Sequence, residues 1–284
     1  MIEKKRILIA GGAGSIGSEL VRQLAEKNEI FVLDISESMY DIVEEMRLGG
    51  FNVRGRVGDI RDRGALSKVF KELRPQVVFN CAARKYVTPM EDAPMEAVSV
   101  NIEGTWNLIT FCRDFSVGKF IHCSTDKVVQ ADCIMGSTKK TAEIMVRNAG
   151  FVSVRFANVV FSRGSVWPLW QRRIERGQSI TVTNERMERW MMRIDEAVSL
   201  MIEAAEDYEN GGVYILKMGS PIKIIDLAHR LVAEVKAAGG GDIPIEIIGA
   251  RPGEKLSERL MSDDEEKQAI DRGKFWLLTY DLNK

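Results

Sequence analysis

Ser124, Thr125, Asp126 and Lys127 are consecutive, and Lys139 follows twelve residues after Lys127. Two hydroxyls, a carboxylate and two amines held together can exchange protons with a bound molecule. The tetrapeptide follows an apolar run at 120–123 that predicts a buried strand. Lys139 falls in the helix predicted over 136–148. In an open α/β sheet, ligands bind in the crevice beyond the carboxyl ends of the strands. The bland alternative is a solvated charged loop, since a short motif alone carries little weight. The surrounding elements have to decide between the two.

Those elements alternate short apolar runs with helical periodicity, the pattern of βαβ units around a parallel sheet. Strands are predicted at 7–10, 30–33, 53–57, 77–80, 120–123 and 152–156, and helices at 64–73, 94–115 and 136–148. Ile16, Leu20, Val21 and Leu24 share one face of the helix after the first strand. The fold class is therefore α/β, a Rossmann-type doubly wound parallel sheet with a smaller C-terminal substrate-binding lobe. Residues 1–160 are assigned to the dinucleotide-binding domain. Residues 161–284 are assigned mainly to the lobe, interleaved with the last sheet elements. There, helices are predicted at 169–176, 195–206 and 224–236, and strands at 180–182, 213–217 and 245–248. The acidic run after Met261, SDDEE, reads as a solvated, partly disordered tail.

Composition narrows the function classes. The chain has 284 residues, 45% hydrophobic and 29% charged, with a formal net charge of −1. Without a basic excess, nucleic acid and anionic membrane surfaces are not expected partners. No apolar run approaches the roughly 20 residues of a membrane span. The sequence MIEKKRILIAGG enters a strand at once, leaving no room for a secretory signal, so a cytoplasmic location is expected. Cys81, Cys112, Cys123 and Cys133 form no C-x-x-C pair and are expected to be buried free thiols. With His122 and His229 as the only histidines, no metal site is expected.

A cofactor site is legible. Gly11, Gly14 and Gly17 follow the first strand and open the first helix, with Ser15 and Ile16 between them. Glycines there permit a tight turn and close backbone approach. The helix N-terminus offers unpaired N–H groups to a pyrophosphate. Asp34 ends the second strand, 20 residues after Gly14, where a carboxylate accepts hydrogen bonds from ribose hydroxyls and repels a 2′-phosphate. NAD is therefore favoured over NADP. Asp59 and Ile60 are placed to flank the adenine, and Ala82 and Ala83 are small enough to let a dinucleotide pass. Asn101, set among Val98, Val100 and Ile102, reads as a buried hydrogen-bonding residue, with an exposed position as the alternative.

On GGAGSIGSEL, GDIRD, Lys85, the Met90–Asp92 region, Asn101, STDK, MGSTKK, SRGSVWPL and RPGEKL, the chain resembles the extended short-chain dehydrogenase/reductase superfamily. Within it, the resemblance is to UDP-N-acetylglucosamine 4,6-dehydratases of the capsular polysaccharide (CapD/CapE-like) group. It covers about residues 6–260. The superfamily's usual catalytic pair is Tyr-x-x-x-Lys, whereas this chain reads Met135-Gly-Ser-Thr-Lys139. A thioether has no proton to transfer. Part of the dehydratase group is similar in carrying Met at this place, so the resemblance moves the chemistry to Thr125, Asp126 and Lys127.

The mechanism implied by this resemblance starts with NAD taking a hydride from C4 of the sugar. Lys127, held neutral by burial near Lys139, removes the C5 proton. Asp126 protonates the departing C6 hydroxyl, the hydride returns to C6, and Thr125 bonds the C4 oxygen. Inversion at C5 stays open. The resemblance also implies that Arg163 and Arg251 contact the diphosphate and uridine, that Asn158 contacts the phosphate, and that Lys85 and Glu254 reach toward the substrate. Expected partners are thus a UDP-sugar and, by family habit, further copies of the chain in a homo-oligomer. The sequence NERMERW, Ala157, Arg84 and the segment 128–134 depart from the family pattern. Two other readings remain at this point: a UDP-sugar 4-epimerase, which Met135 disfavours, and a noncatalytic NAD-binding regulator.

Overall fold

The computed structural model describes residues 1–280. Its framework begins with strands β1 (Arg6–Ala10), β2 (Glu29–Asp34), β3 (Val53–Val57), β4 (Val77–Asn80), β5 (Lys119–Thr125) and β6 (Val152–Phe156). They lie in the parallel order β3-β2-β1-β4-β5-β6. This is the doubly wound dinucleotide-binding order, with its switch point between β1 and β4. β4 and β6 are buried at every position. Burial at every position follows from helices covering both faces of the sheet, and it leaves β4 apolar up to its final Asn80, whereas β6 carries the buried polar Ser153 and Arg155.

One face is covered by α1 (Ser15–Leu24), α2 (Met39–Leu48) and the helix Ile194–Asp207. The other carries α3 (Arg63–Leu73), α6 (Thr105–Asp114) and α7 (Ile134–Asn148), with the short α4 (Val87–Asp92) and α5 (Pro94–Ala97) between α3 and α6 in the chain. Fully buried side chains such as Leu20, Phe70, Phe79 and Phe120 each stabilise the fold by about 1.5–3 kcal/mol. Among the described residues, no helix is long and apolar enough to cross a membrane. All four cysteines are free. Cys112 and Cys133 are buried, but Cys81 and Cys123 are partly exposed at strand ends, contrary to the expectation for them.

The helix expected over 94–115 is interrupted. Between α5 and α6 the turns widen to a π-helix, Val98–Gly104. Asn101 sits in that stretch, 1% exposed. Its Oδ1 accepts from the Arg84 N–H at 2.8 Å, and its Nδ2 donates to the Arg84 carbonyl and to Thr138 Oγ1, each at 3.0 Å. Hydrophobic periodicity does not register such a widening. The α2 stripe Met39, Ile42, Val43 and Met46 is buried at helical spacing, yet the sequence reading left this helix out.

The lobe has its own small core, in which Trp167, Trp170, Ile180, Val182, Ile224 and Leu231 pack together. Short pairings knit it: Ile180–Val182 with Ile245–Ile247, and Glu188–Arg189 with Ile222–Lys223. The strand Val213–Leu216 instead extends the main sheet in parallel beside β6.

The tail corrects the sequence reading most clearly. Ser262 caps the helix Asp263–Gln268 in a reciprocal box with Glu265. The strands Ile270–Asp271 and Phe275–Leu278 then add antiparallel to the sheet edge. Part of the acidic run is structural because Arg155, in mid-strand β6, is 1% exposed and must be neutralised. Glu143 of α7 pairs with it at 2.7 and 2.9 Å, and Glu265 at 2.7 and 2.9 Å. Burial pushes the Glu265 carboxyl up, but the Arg155 hydrogen bonds and charge outweigh it and hold the pKa at about 2.

A carboxyl depressed from 4.5 to about 2 contributes stability that is present above pH 4.5 and lost as pH falls toward 2. That contribution is on the order of 3 kcal/mol. In thermal melts, Glu265→Gln should lower the midpoint at pH 7 and converge with the parent near pH 2. Melting curves that stay parallel across this range would contradict the assignment.

Candidate active site

The glycine turn is built by close contact. Gly11 has φ +79°, and a Cβ there would lie 2.5 Å from the Ala82 nitrogen. A Cβ on Gly17 would lie 2.2 Å from the Gly11 carbonyl oxygen. Thus the β1–α1 turn packs against the loop after β4, where Ala82 and Ala83 follow Cys81. Gly14 is the N-cap of α1 and supplies no side-chain bond, so the helix's first N–H groups face outward uncapped. Ile16 packs against the sheet core. Asp34 Oδ2 accepts from the Ala13 N–H and Oδ1 from the Ser36 N–H, both at 2.9 Å. A carboxylate has about four acceptor positions, so two remain for ribose hydroxyls.

Farther along the strand ends, Asp59 is bound to Arg61, with Oδ2 at 2.6 Å from Nη2. Burial raises the Asp59 carboxyl, and Arg61 brings it below the usual range. Arg61 also bonds Glu96, which holds the Arg84 guanidinium. Ile60 is buried beneath Gly104, where a Cβ would meet its side chain at 2.5 Å. These residues form a wall beyond the strand ends whose donors and small residues would fit a dinucleotide such as NAD.

Lys139 points into the sheet. Its amine donates to the Cys123 carbonyl and lies 3.2 Å from His122 Nε2. Burial pushes it below the ordinary lysine range. Burial and the Lys139 charge likewise hold His122 well below the histidine range. On its other side, His122 Nδ1 meets Asn80, 3.2 Å away.

At the end of β5, Asp126 is wholly buried. Its Oδ1 accepts from Thr125 Oγ1 and from Lys127 Nζ, each at 2.9 Å. Its Oδ2 is buried without a partner. Lys127 therefore meets carboxylates, not Lys139 as expected, and its second is Glu258 Oε1 at 3.8 Å. Met135 is 2% exposed, packed against Met90, Ala97 and Cys133.

Lys127 forms part of the wall of a cleft of about 390 Å³ between the strand ends and the lobe. Lys85, Asn158, Arg251 and Glu254 line it as well. Trp167, Arg189 and Glu258 join them. Arg163 differs: its side chain is exposed and outside this lining. Its backbone serves instead, the carbonyl accepting from Lys85 Nζ at 2.7 Å and the N–H donating to Ser15 Oγ at 2.9 Å. Ser15 thereby ties the glycine turn to the rim of the cleft. Asn158 is steadied by its Nδ2, which donates to the Trp190 carbonyl at 3.3 Å, and Glu254 accepts from the Arg251 N–H at 3.1 Å.

Glu258 escaped the sequence reading. Its segment has no periodicity and is positioned from far away in the chain. Trp190 Nε1 donates to the Glu258 carbonyl at 2.9 Å, and Arg189 donates to the carbonyls of Lys255 and Leu256. NERMERW thus braces this wall. Its Arg and Trp gave the only signal.

Residues 7–279 match the model of a family described as polysaccharide biosynthesis protein. The capsular polysaccharide biosynthesis protein CapD of Staphylococcus aureus is 39% identical over 93% of this chain and 46% of its own length. The chain thus spans about half the length of that relative. A UDP-N-acetylglucosamine 4,6-dehydratase (inverting) of Campylobacter jejuni is 32% identical over 93% of this chain and 80% of its own. A UDP-glucose 4-epimerase of Rickettsia akari is 30% identical over 99% and 84%. The X-ray structure of Pen from Bacillus thuringiensis superposes with a TM-score of 0.93 at 36% identity, covering 98% of this chain and 89% of Pen. Sequence, strand order and these relatives agree: the chain belongs to the polysaccharide biosynthesis protein family, within the extended short-chain dehydrogenase/reductase superfamily.

Proposed function

We propose that this chain is a nucleotide-sugar 4,6-dehydratase acting on UDP-N-acetylglucosamine or a related UDP-sugar, with NAD as its resident cofactor. The observation that carries the reading is the Lys127–Asp126 pair, with the Lys127 amine at the cleft wall and an unpartnered Asp126 oxygen behind it. Met135, packed in a core, offers no proton of its own. Proton movement therefore rests on the pair.

Gly11, Gly14, Gly17 and the α1 N-terminus would hold the pyrophosphate, Asp34 the ribose, and Ala82 and Ala83 the passing chain. The bound nicotinamide supplies a hydride acceptor and donor at the sugar. The protein groups do the rest. Thr125 orients Asp126 and is placed to bond the C4 oxygen. Lys127, once it has given up its proton, takes the one at C5, which a 4-ketone acidifies. Asp126 takes up the proton that leaves the C4 hydroxyl on oxidation, relayed through Thr125, and passes it to the C6 hydroxyl, which departs as water; Lys127 then returns a proton to C5. Arg251, Asn158 and Lys85 favour the nucleotide diphosphate end, where charge-assisted pairing suits a phosphate. In the whole protein, such an activity would provide a deoxygenated keto-sugar nucleotide for surface polysaccharide.

With UDP-N-acetylglucosamine, mass spectrometry should find a product lighter by one water, without accumulation of reduced cofactor. Lys127→Ala and Asp126→Asn should each lower kcat about 10²-fold or more, with little effect on NAD binding. No water loss across several UDP- and dTDP-sugars would sink the dehydratase reading. A C4 epimer of unchanged mass would establish the epimerase instead. Separately, Gly17→Ala should weaken NAD binding in calorimetry by about tenfold or more, since its Cβ has nowhere to go. Unchanged affinity would remove the glycine turn from the cofactor site.

A further inference from the structure

We propose that Glu258 is a positioning residue for Lys127, holding its amine from the lobe side of the cleft and setting its affinity for a proton. The inference deepens the dehydratase reading and rests on it for what Lys127 does. The geometry stands on its own. Lys127 Nζ lies between two carboxylates, Asp126 Oδ1 at 2.9 Å and Glu258 Oε1 at 3.8 Å.

Neither carboxylate is idle packing. The Glu258 side chain is 4% exposed and that of Asp126 wholly buried. Each keeps one buried oxygen without a partner, Glu258 Oε2 and Asp126 Oδ2. Leaving such atoms unpaired costs about 1–3 kcal/mol apiece, so a fold that retains two beside one amine is set up for a further polar group. Glu258 and Lys127 both line the cleft where that group would enter.

The fold goes to some length to place Glu258. Trp190 fixes its carbonyl and Arg189 fixes Lys255 and Leu256, three and two residues before it. Arg189 spends its guanidinium on carbonyls, Glu188's included, and Lys255 bonds the Val129 carbonyl and Asp132. Thus the charged groups around Glu258 are Lys127, Asp126, Arg189 and Lys255, with the Cys133 thiol nearby. Of these, Lys127 is the cation whose amine remains directed at acidic partners in the cleft. Burial raises the Glu258 carboxyl above the ordinary range, and Lys127 opposes that rise.

The charge logic gives a sign. A carboxylate near an ammonium favours the charged amine, so removing it lowers the amine's pKa. A base that works when neutral then becomes available at lower pH. The test is ¹³C reductive methylation of the full chain, with the Lys127 signal assigned by its loss in Lys127→Arg and titrated by NMR without substrate. Glu258→Gln should lower the Lys127 midpoint by about one unit, with Glu258→Asp intermediate. In the water-loss assay, the rise of kcat/KM with pH should move down by the same amount. An unchanged Lys127 midpoint in folded Glu258→Gln overturns the proposal. Should Glu258→Gln not fold, an unchanged midpoint in Glu258→Asp overturns it equally. Because the NMR titration needs no turnover, a chain that dehydrates nothing would sink the functional reading and leave the Glu258 result to be judged separately.

Discussion

A carboxylate removed from water has to be paired, and Asp126 is the point at which this fold meets that requirement. β5 delivers it at the carboxyl edge of the sheet, where the chain leaves the apolar interior and turns. Thr125 and Lys127 satisfy one of its oxygens. The same ion pair fixes Lys127 at the cleft, and the lobe completes the arrangement by bringing Glu258 to the other side of the amine. Charge neutralisation, rather than shape alone, ties strand end, cleft and lobe together.

A second buried ion cluster plays a scaffold role on the same strands. Arg155 in β6 is held by Glu143 and Glu265, and Glu143 also accepts from Ser124 Oγ at 2.7 Å. Ser124 immediately precedes Thr125. The tail helix is thereby linked, through Arg155 and α7, to the base of the site. Likewise, Asn101 clasps the Arg84 backbone and Thr138 on α7, so the loop after β4 and the Lys139 helix share one buried amide.

Much of this was legible in the sequence. Apolar runs located β1, β2, β4 and β5, because strands buried on both faces are mostly apolar. The glycine spacing located the turn, since only glycine tolerates the approach to Ala82 and Gly11. What was not legible depends on distant partners. Glu258 lies in an irregular segment whose place is set by Arg189 and Trp190. Phe275–Leu278 becomes a sheet strand only by pairing with Val213–Leu216. Asp263, Asp264 and Glu266 of the acidic run are exposed as read, but Glu265 turns inward to Arg155, 110 residues away in the chain, which no local pattern announces. Lys127 was expected beside Lys139, yet the two amines take different partners, one meeting carboxylates and the other His122.

The central claim is that Lys127 and Asp126 move the protons of a dehydration. Its most direct test is to run the chain with UDP-N-acetylglucosamine in D2O and read the product by NMR and mass spectrometry. The account predicts loss of water with solvent deuterium entering at C5, both absent in Lys127→Ala. A product that keeps its mass, or a Lys127→Ala chain that still labels C5, would contradict it.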